Sequence, residues 1–132
     1  MPYITLENHL PGITGLLEYR RDTAEPIREL TQTLLRGPST LTTAEREMIA
    51  TLVSHLNACR FCSSAHQAVT DLLLGECETT VAICSDFESA PISEKMKSLL
   101  HIAAQVQTGG YKVTPQAIDR AREAGSTDIE IH

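Results

Sequence analysis

The chain has 132 residues, a length that suits one domain large enough to bury a real core, here read as residues 1–132. Eleven Lys and Arg stand against 17 Asp and Glu, a net charge of −6, which argues against binding a nucleic-acid backbone. Aromatic content of 4% with no Trp leaves little surface for stacking bases, and nowhere do 18 apolar residues follow one another as a membrane span requires.

Taken in order, Met1 to Leu10 has neither a basic n-region nor an apolar run and does not read as a signal peptide, so a soluble cytoplasmic protein is expected. Pro11-Gly12 is a turn, and Ile13, Leu16, Leu17 and Tyr19 permit a short helix. Arg20-Arg21 reads as surface charge or an intersubunit contact. A helix is predicted from Asp22 or Thr23, with Pro26 in its first turn, through Ile27, Leu30, Leu34 and Leu35 to Arg36, where Gly37-Pro38 ends it. The next begins at Thr42, whose spacing to Glu45 is that of a capping box, and pairs with its predecessor through a short loop. Its apolar stripe is Met48, Ile49, Leu52, Val53 and Leu56. The opposite face holds small residues and one acid, Glu47. Another helix could enclose that acid, or it could be solvated.

Asn57-Ala58 marks a junction, and a further helix runs from near Cys59 to Leu74, stopped by Gly75, with Phe61, Ala65, Ala68, Val69 and Leu72 as its apolar stripe. Cys59, Cys62 and His66 fall along one edge of that stripe. Cysteines three apart on a helix can reach disulfide geometry, and a thiol in a helix's first turn is biased toward thiolate by the positive end of the dipole. An imidazole one turn beyond Cys62 can take its proton, and a carboxylate can hold that imidazole in one tautomer.

Cys-x-x-Cys is also found in zinc sites, thioredoxin-like enzymes and haem attachment. Haem is disfavoured because Ser63 follows Cys62, and thioredoxin because the motif here follows a helix and not a strand. Cys59, Cys62 and His66 could supply three zinc ligands, but a structural site wants four and no second paired cluster exists. Two buried thiols beside a satisfied histidine are a third reading. No cofactor is expected.

Beyond Gly75, Glu78 to Phe87 reads as a brief helix, with Cys77 and Cys84 as small core residues. Ser93 caps a longer helix with Met96, Leu99, Leu100, Ala103 and Val106 inward, ending at Gly109-Gly110, and His101 within it reads as structural. Tyr111 to Val113 is a linker, and Thr114-Pro115 opens another helix that stops at Gly125. Thr127 and Glu130 repeat the capping-box spacing, yet the sequence ends at Ile131-His132 after barely one turn, so a truncated last helix is expected. The fold class is all-α, a compact orthogonal bundle of about six helices.

Glu47, eleven intervening residues, Cys59-Arg60-Phe61-Cys62, three more residues and His66 together resemble the active-site signature of the alkylhydroperoxidase D-like branch of the carboxymuconolactone decarboxylase superfamily, in its peroxidase-related subgroup. The likeness extends through Tyr19-Arg20, Thr23-Ala24-Glu25-Pro26, Leu35-Arg36-Gly37-Pro38, Val53-Ser54, Asn57 and the tail Gly125 to His132. It implies Cys62 as peroxidatic thiol, Cys59 as resolving thiol, His66 as the group activating Cys62, and Glu47 as the end of a proton relay through water. It also implies a hydroperoxide substrate, a thiol or protein reductant, assembly into trimers or hexamers, and a further apolar helix after the last residue. One position departs: the best-known peroxidase of the family carries a histidine between its cysteines where this chain has Phe61. Members that decarboxylate lactones lack the cysteine pair, so that activity is not implied. A metal-binding module and a non-catalytic oligomeric scaffold are the alternatives.

Overall fold

The structure is a computed structural model describing residues 3–132. Met1 and Pro2, at the head of the segment tested above for a signal peptide, lie outside the described residues. Among those described there are eight α-helices, one 3-10 turn and no strand, and six of the helices have seven or more residues. No helix among them is long and apolar enough to cross a membrane. The chain divides into two compact units, with the boundary after Pro38.

The first unit holds α1 (Thr14–Tyr19) and α2 (Arg21–Arg36). Gly15 is buried in α1, and a Cβ there would already touch Leu6 and Leu10, at 3.5 and 3.8 Å. Glu18 accepts from both Arg21 and Arg28, which together hold its carboxyl below the usual range, and Arg20 pairs with Asp22. Arg20-Arg21 is therefore surface charge tying α1 to α2. Because α2 starts at Arg21, Pro26 lies in its interior and not in its first turn; the Ala24 amide already donates to the Arg20 carbonyl two residues earlier.

The second unit carries α3 (Thr43–Leu56), α4 (Arg60–Leu74), α5 (Glu78–Asp86), α6 (Glu94–Thr108), a 3-10 turn at Gly110–Lys112, α7 (Pro115–Glu123) and α8 (Asp128–Ile131). The expected caps are present. Thr42 and Glu45 close a reciprocal box on α3, Ser93 accepts from the Met96 amide, and Thr114 precedes Pro115 at the start of α7. Gly75 ends α4 at φ 75°, a conformation that costs an L side chain about 1–2 kcal/mol. The expected linker at Tyr111 to Val113 is mostly the 3-10 turn.

Leu41, Met48, Leu52, Ile83, Ala90, Met96, Leu99 and Leu100 form the main core, with a smaller cluster at Ile102, Ala117 and Ala121. Two cysteine assignments need revision. Cys77 is exposed at the start of α5, and Cys84 is only half-buried, its thiol pushed up by burial and by the nearby Asp71. His101 is structural in its contacts: it bonds Gln105 and meets the Phe87 ring edge-on at 6.5 Å.

The single turn of α8 cannot stand on nucleation alone. Tertiary contacts hold it. Ile131 packs against both core clusters, and Glu130 accepts from Lys95 Nζ at 2.6 Å and Thr40 Oγ1 at 2.7 Å while closing the capping box with Thr127. The Lys95 ammonium, then the Thr127 amide and the Thr40 hydroxyl, pull the Glu130 carboxyl down to about 2 from an ordinary 4.5. A carboxyl depressed on folding stabilises the fold above its unfolded value and loses that contribution as pH falls toward the folded one. Glu130→Gln should therefore lower the melting temperature at pH 7 and flatten the acid destabilisation between pH 4.5 and about 2, measured by thermal melts across that range. An unchanged acid limb would assign it to other carboxylates.

Candidate active site

The site grows from the break between α3 and α4. Ala58 takes φ 52°, a left-handed conformation rare for a residue with a side chain, and this turns the chain so that α4 starts immediately afterwards. Cys59 is the N-cap of α4, extended at φ −85° and ψ 94°, and its Sγ accepts the Cys62 amide at 3.3 Å. A sulfur here performs the task usually done by a Ser or Asp oxygen. Cys62 follows within the first helical turn, 5.4 Å away between Cα atoms, and the two cysteines are joined as a disulfide. Both sulfurs thus lie at the positive end of the α4 dipole.

The opposing helix supplies the acid. Glu47 is 1% exposed, which decides between the enclosed and the solvated readings. Its Oε2 lies 2.7 Å from His66 Nδ1, linking α3 to α4. One turn further along each helix, Thr51 Oγ1 meets Thr70 Oγ1 at 3.2 Å, and Thr70 Oγ1 donates to the His66 carbonyl at 2.9 Å. Both threonines are fully buried. Sequence reasoning counted Thr51 only among the small residues of the Glu47 face and passed over Thr70, although each lies four residues beyond a singled-out residue and so shares its face.

This packing reverses the expected orientation of α4. Phe61, Ala65, Ala68 and Leu72, read as its core stripe, are exposed, Leu72 at 81%. On α3, likewise, Leu56 is exposed while Glu47, Thr51 and Ser54 are buried. Small side chains on the facing surfaces let the helices approach closely, and satisfied polar pairs remove the penalty of burying them. The helix that encloses Glu47 is thus α4 of the same chain.

The side chain of His66 is partly exposed, and among the described residues no hydrogen bond joins its ring to either sulfur. The expected contact to Cys62 is not made in the disulfide form; the ring's partner is the carboxylate. An ionised carboxylate only accepts, so Nδ1 carries a proton and, in the neutral ring, Nε2 is left as an acceptor. A cleft of about 360 Å³ opens at the N-terminus of α4, lined by His55, Ala58, Cys59, Arg60, Ser63 and Ser64. Among the described residues, no three of His, Cys, Asp and Glu converge as a set of metal ligands. Chemically, the arrangement offers a sulfur pair that can cycle between dithiol and disulfide, with an oriented imidazole one turn along the helix.

Residues 21–70, which include all four residues of this constellation, match the Carboxymuconolactone decarboxylase family. No match was found among curated proteins. Among solved structures, the chain is similar to an uncharacterized peroxidase-related protein from Silicibacter sp. TM1040, with 24% identity and a TM-score of 0.79 over 89% of this chain. It is similar also to a structure described as an alkylhydroperoxidase AhpD core, an uncharacterized peroxidase-related protein from Ralstonia eutropha JMP134, with 24% identity and a TM-score of 0.81 over 90% of this chain. The chain spans 64% of the length of each. The family match thus lies across the helices that carry the site, and the likeness to the two solved structures shows that the chain shares their all-helical fold.

Proposed function

We propose that this chain is a two-cysteine hydroperoxidase that works through a thiol–disulfide cycle. The observation that carries the reading is the pairing of Cys59 and Cys62 as a disulfide on the same helix as an imidazole clamped by a buried carboxylate. In the reduced enzyme, His66 Nε2 accepts the Cys62 proton, directly or through water, and the negative Glu47 stabilises the imidazolium that results. The Cys62 thiolate attacks one peroxide oxygen; an S–O bond forms, the O–O bond breaks, and the second oxygen leaves as alkoxide and takes up a proton to give the alcohol. Cys59 thiolate then attacks the sulfur of the sulfenic acid. The S–S bond forms and water departs. The α4 N-terminus and the Cys62 amide favour thiolate at Cys59, making it a competent resolving group.

Turnover needs two electrons from an external thiol, and so a compartment as reducing as the cytoplasm. The apolar stripe left exposed on α4 supports self-association as the assembly mode. Phe61, where the best-known relative has a histidine, leaves the relay to His66 and Glu47 alone.

Two experiments test the reading. In stopped-flow oxidation of the reduced protein by hydrogen peroxide or an alkyl hydroperoxide, Cys62→Ser should abolish the fast phase. Cys59→Ser should keep that phase and stop at a sulfenic acid that dimedone traps. Parent thiols no faster than free cysteine would end the peroxidase reading. His66→Asn and Glu47→Gln should each slow the oxidation of Cys62, by about tenfold or more, and the double variant should be no slower than His66→Asn alone. Additive losses in variants that melt normally would show that Glu47 does not act through His66.

A further inference from the structure

One sulfur of the disulfide faces a cleft. The cleft at the start of α4 is lined by Cys59 but not by Cys62, and beside that sulfur stand Arg60, His55 and the hydroxyl-bearing Ser63 and Ser64. Among the described residues no acidic one lines it. Arg60 has no hydrogen-bond or ion-pair partner among the described residues, although the chain carries six more acidic than basic side chains. An unpaired guanidinium next to a reactive sulfur, on an otherwise acidic protein, is a local preference for negative charge.

We propose that this cleft admits a small thiol reductant bearing a carboxylate, that Arg60 binds the carboxylate, and that the thiol sulfur attacks Cys59. This rests on the thiol–disulfide cycle proposed above and adds to it the class of reductant and the sulfur it meets. A cleft of about 360 Å³ lies at the small end of ligand sites and has room for a molecule of this kind. The incoming thiolate forms an S–S bond to Cys59 as the Cys59–Cys62 bond breaks, and Cys62 leaves as a thiolate one helical turn from His66 and takes up from solvent the proton that the reductant thiol released. A second reductant thiolate attacks the reductant's own sulfur in the mixed disulfide. It releases Cys59 as a thiolate, eased by the Cys62 amide directed at its Sγ, and leaves the reductant as its disulfide. Two electrons pass from two thiols to the cysteine pair.

The test is reduction of the oxidised full chain by mercaptoacetate, 2-mercaptoethanol and cysteamine, anionic, neutral and cationic thiols compared at equal thiolate concentration. A small linear peptide disulfide serves as reference. Relative to that reference, mercaptoacetate should be favoured over 2-mercaptoethanol by about fivefold and cysteamine disfavoured, with the preference shrinking as salt rises. Arg60→Gln should bring the anionic-to-neutral ratio to that of the reference, and Arg60→Glu should invert it. Rapid alkylation and fragment mass spectrometry of the intermediate should place the mercaptoacetate adduct on Cys59 and the alkyl group on Cys62. Equal ratios in parent and Arg60→Gln, or an adduct on Cys62, would overturn this proposal while leaving the redox cycle standing. Exchange no faster than the reference with every thiol would overturn both.

Discussion

The hydrogen bond between Glu47 and His66 is the constraint on which this structure turns. A carboxylate 1% exposed is costly to bury without a strong partner, and here the partner comes from the next helix in sequence. That requirement fixes which faces of α3 and α4 meet. Once Glu47 must reach His66, Thr51 falls opposite Thr70, and the polar, small-residue surfaces become the interface.

The consequences run in two directions. Toward the site, the clamp orients an imidazole on the helix whose first turn holds both sulfurs, and the left-handed Ala58 delivers Cys59 to the N-cap, where a backbone amide points at its sulfur. Away from the site, the same choice of face turns Phe61 and Leu72 to the outside. The apolar stripe exposed on α4 is the cost of assigning its other face to polar contacts with α3. The strain at Ala58 is a further local conformational cost, gathered beside the candidate site.

Much of this was legible in the sequence, because capping chemistry and helical periodicity are local. Thr42 with Glu45, Ser93, Thr114-Pro115 and Gly75 mark boundaries that the structure keeps. Cys59, Cys62 and His66 were likewise visible from spacing on one helix or its cap, whereas Glu47 joined them only through the family resemblance. What periodicity could not supply was the choice of buried face. An apolar stripe predicts burial on average, and on α4 two polar cross-helix bonds override it. For the same reason Glu47 could be read as solvated or enclosed until the helix opposite it was known. The start of α2 lies one or two residues earlier than expected, at Arg21, and that small shift leaves Pro26 beyond its first turn. The last turn, too, drew its support from Lys95 and Thr40, which lie far away in sequence.

If the carboxylate governs the imidazole, the state of the ring should reveal it directly. In long-range proton–nitrogen correlation spectra of the reduced protein near neutral pH, His66 should show a proton on Nδ1, whether the ring is neutral or charged, and when neutral an unprotonated Nε2. A neutral ring carrying its proton on Nε2, or averaging between tautomers as a solvent-exposed histidine does, would contradict the account.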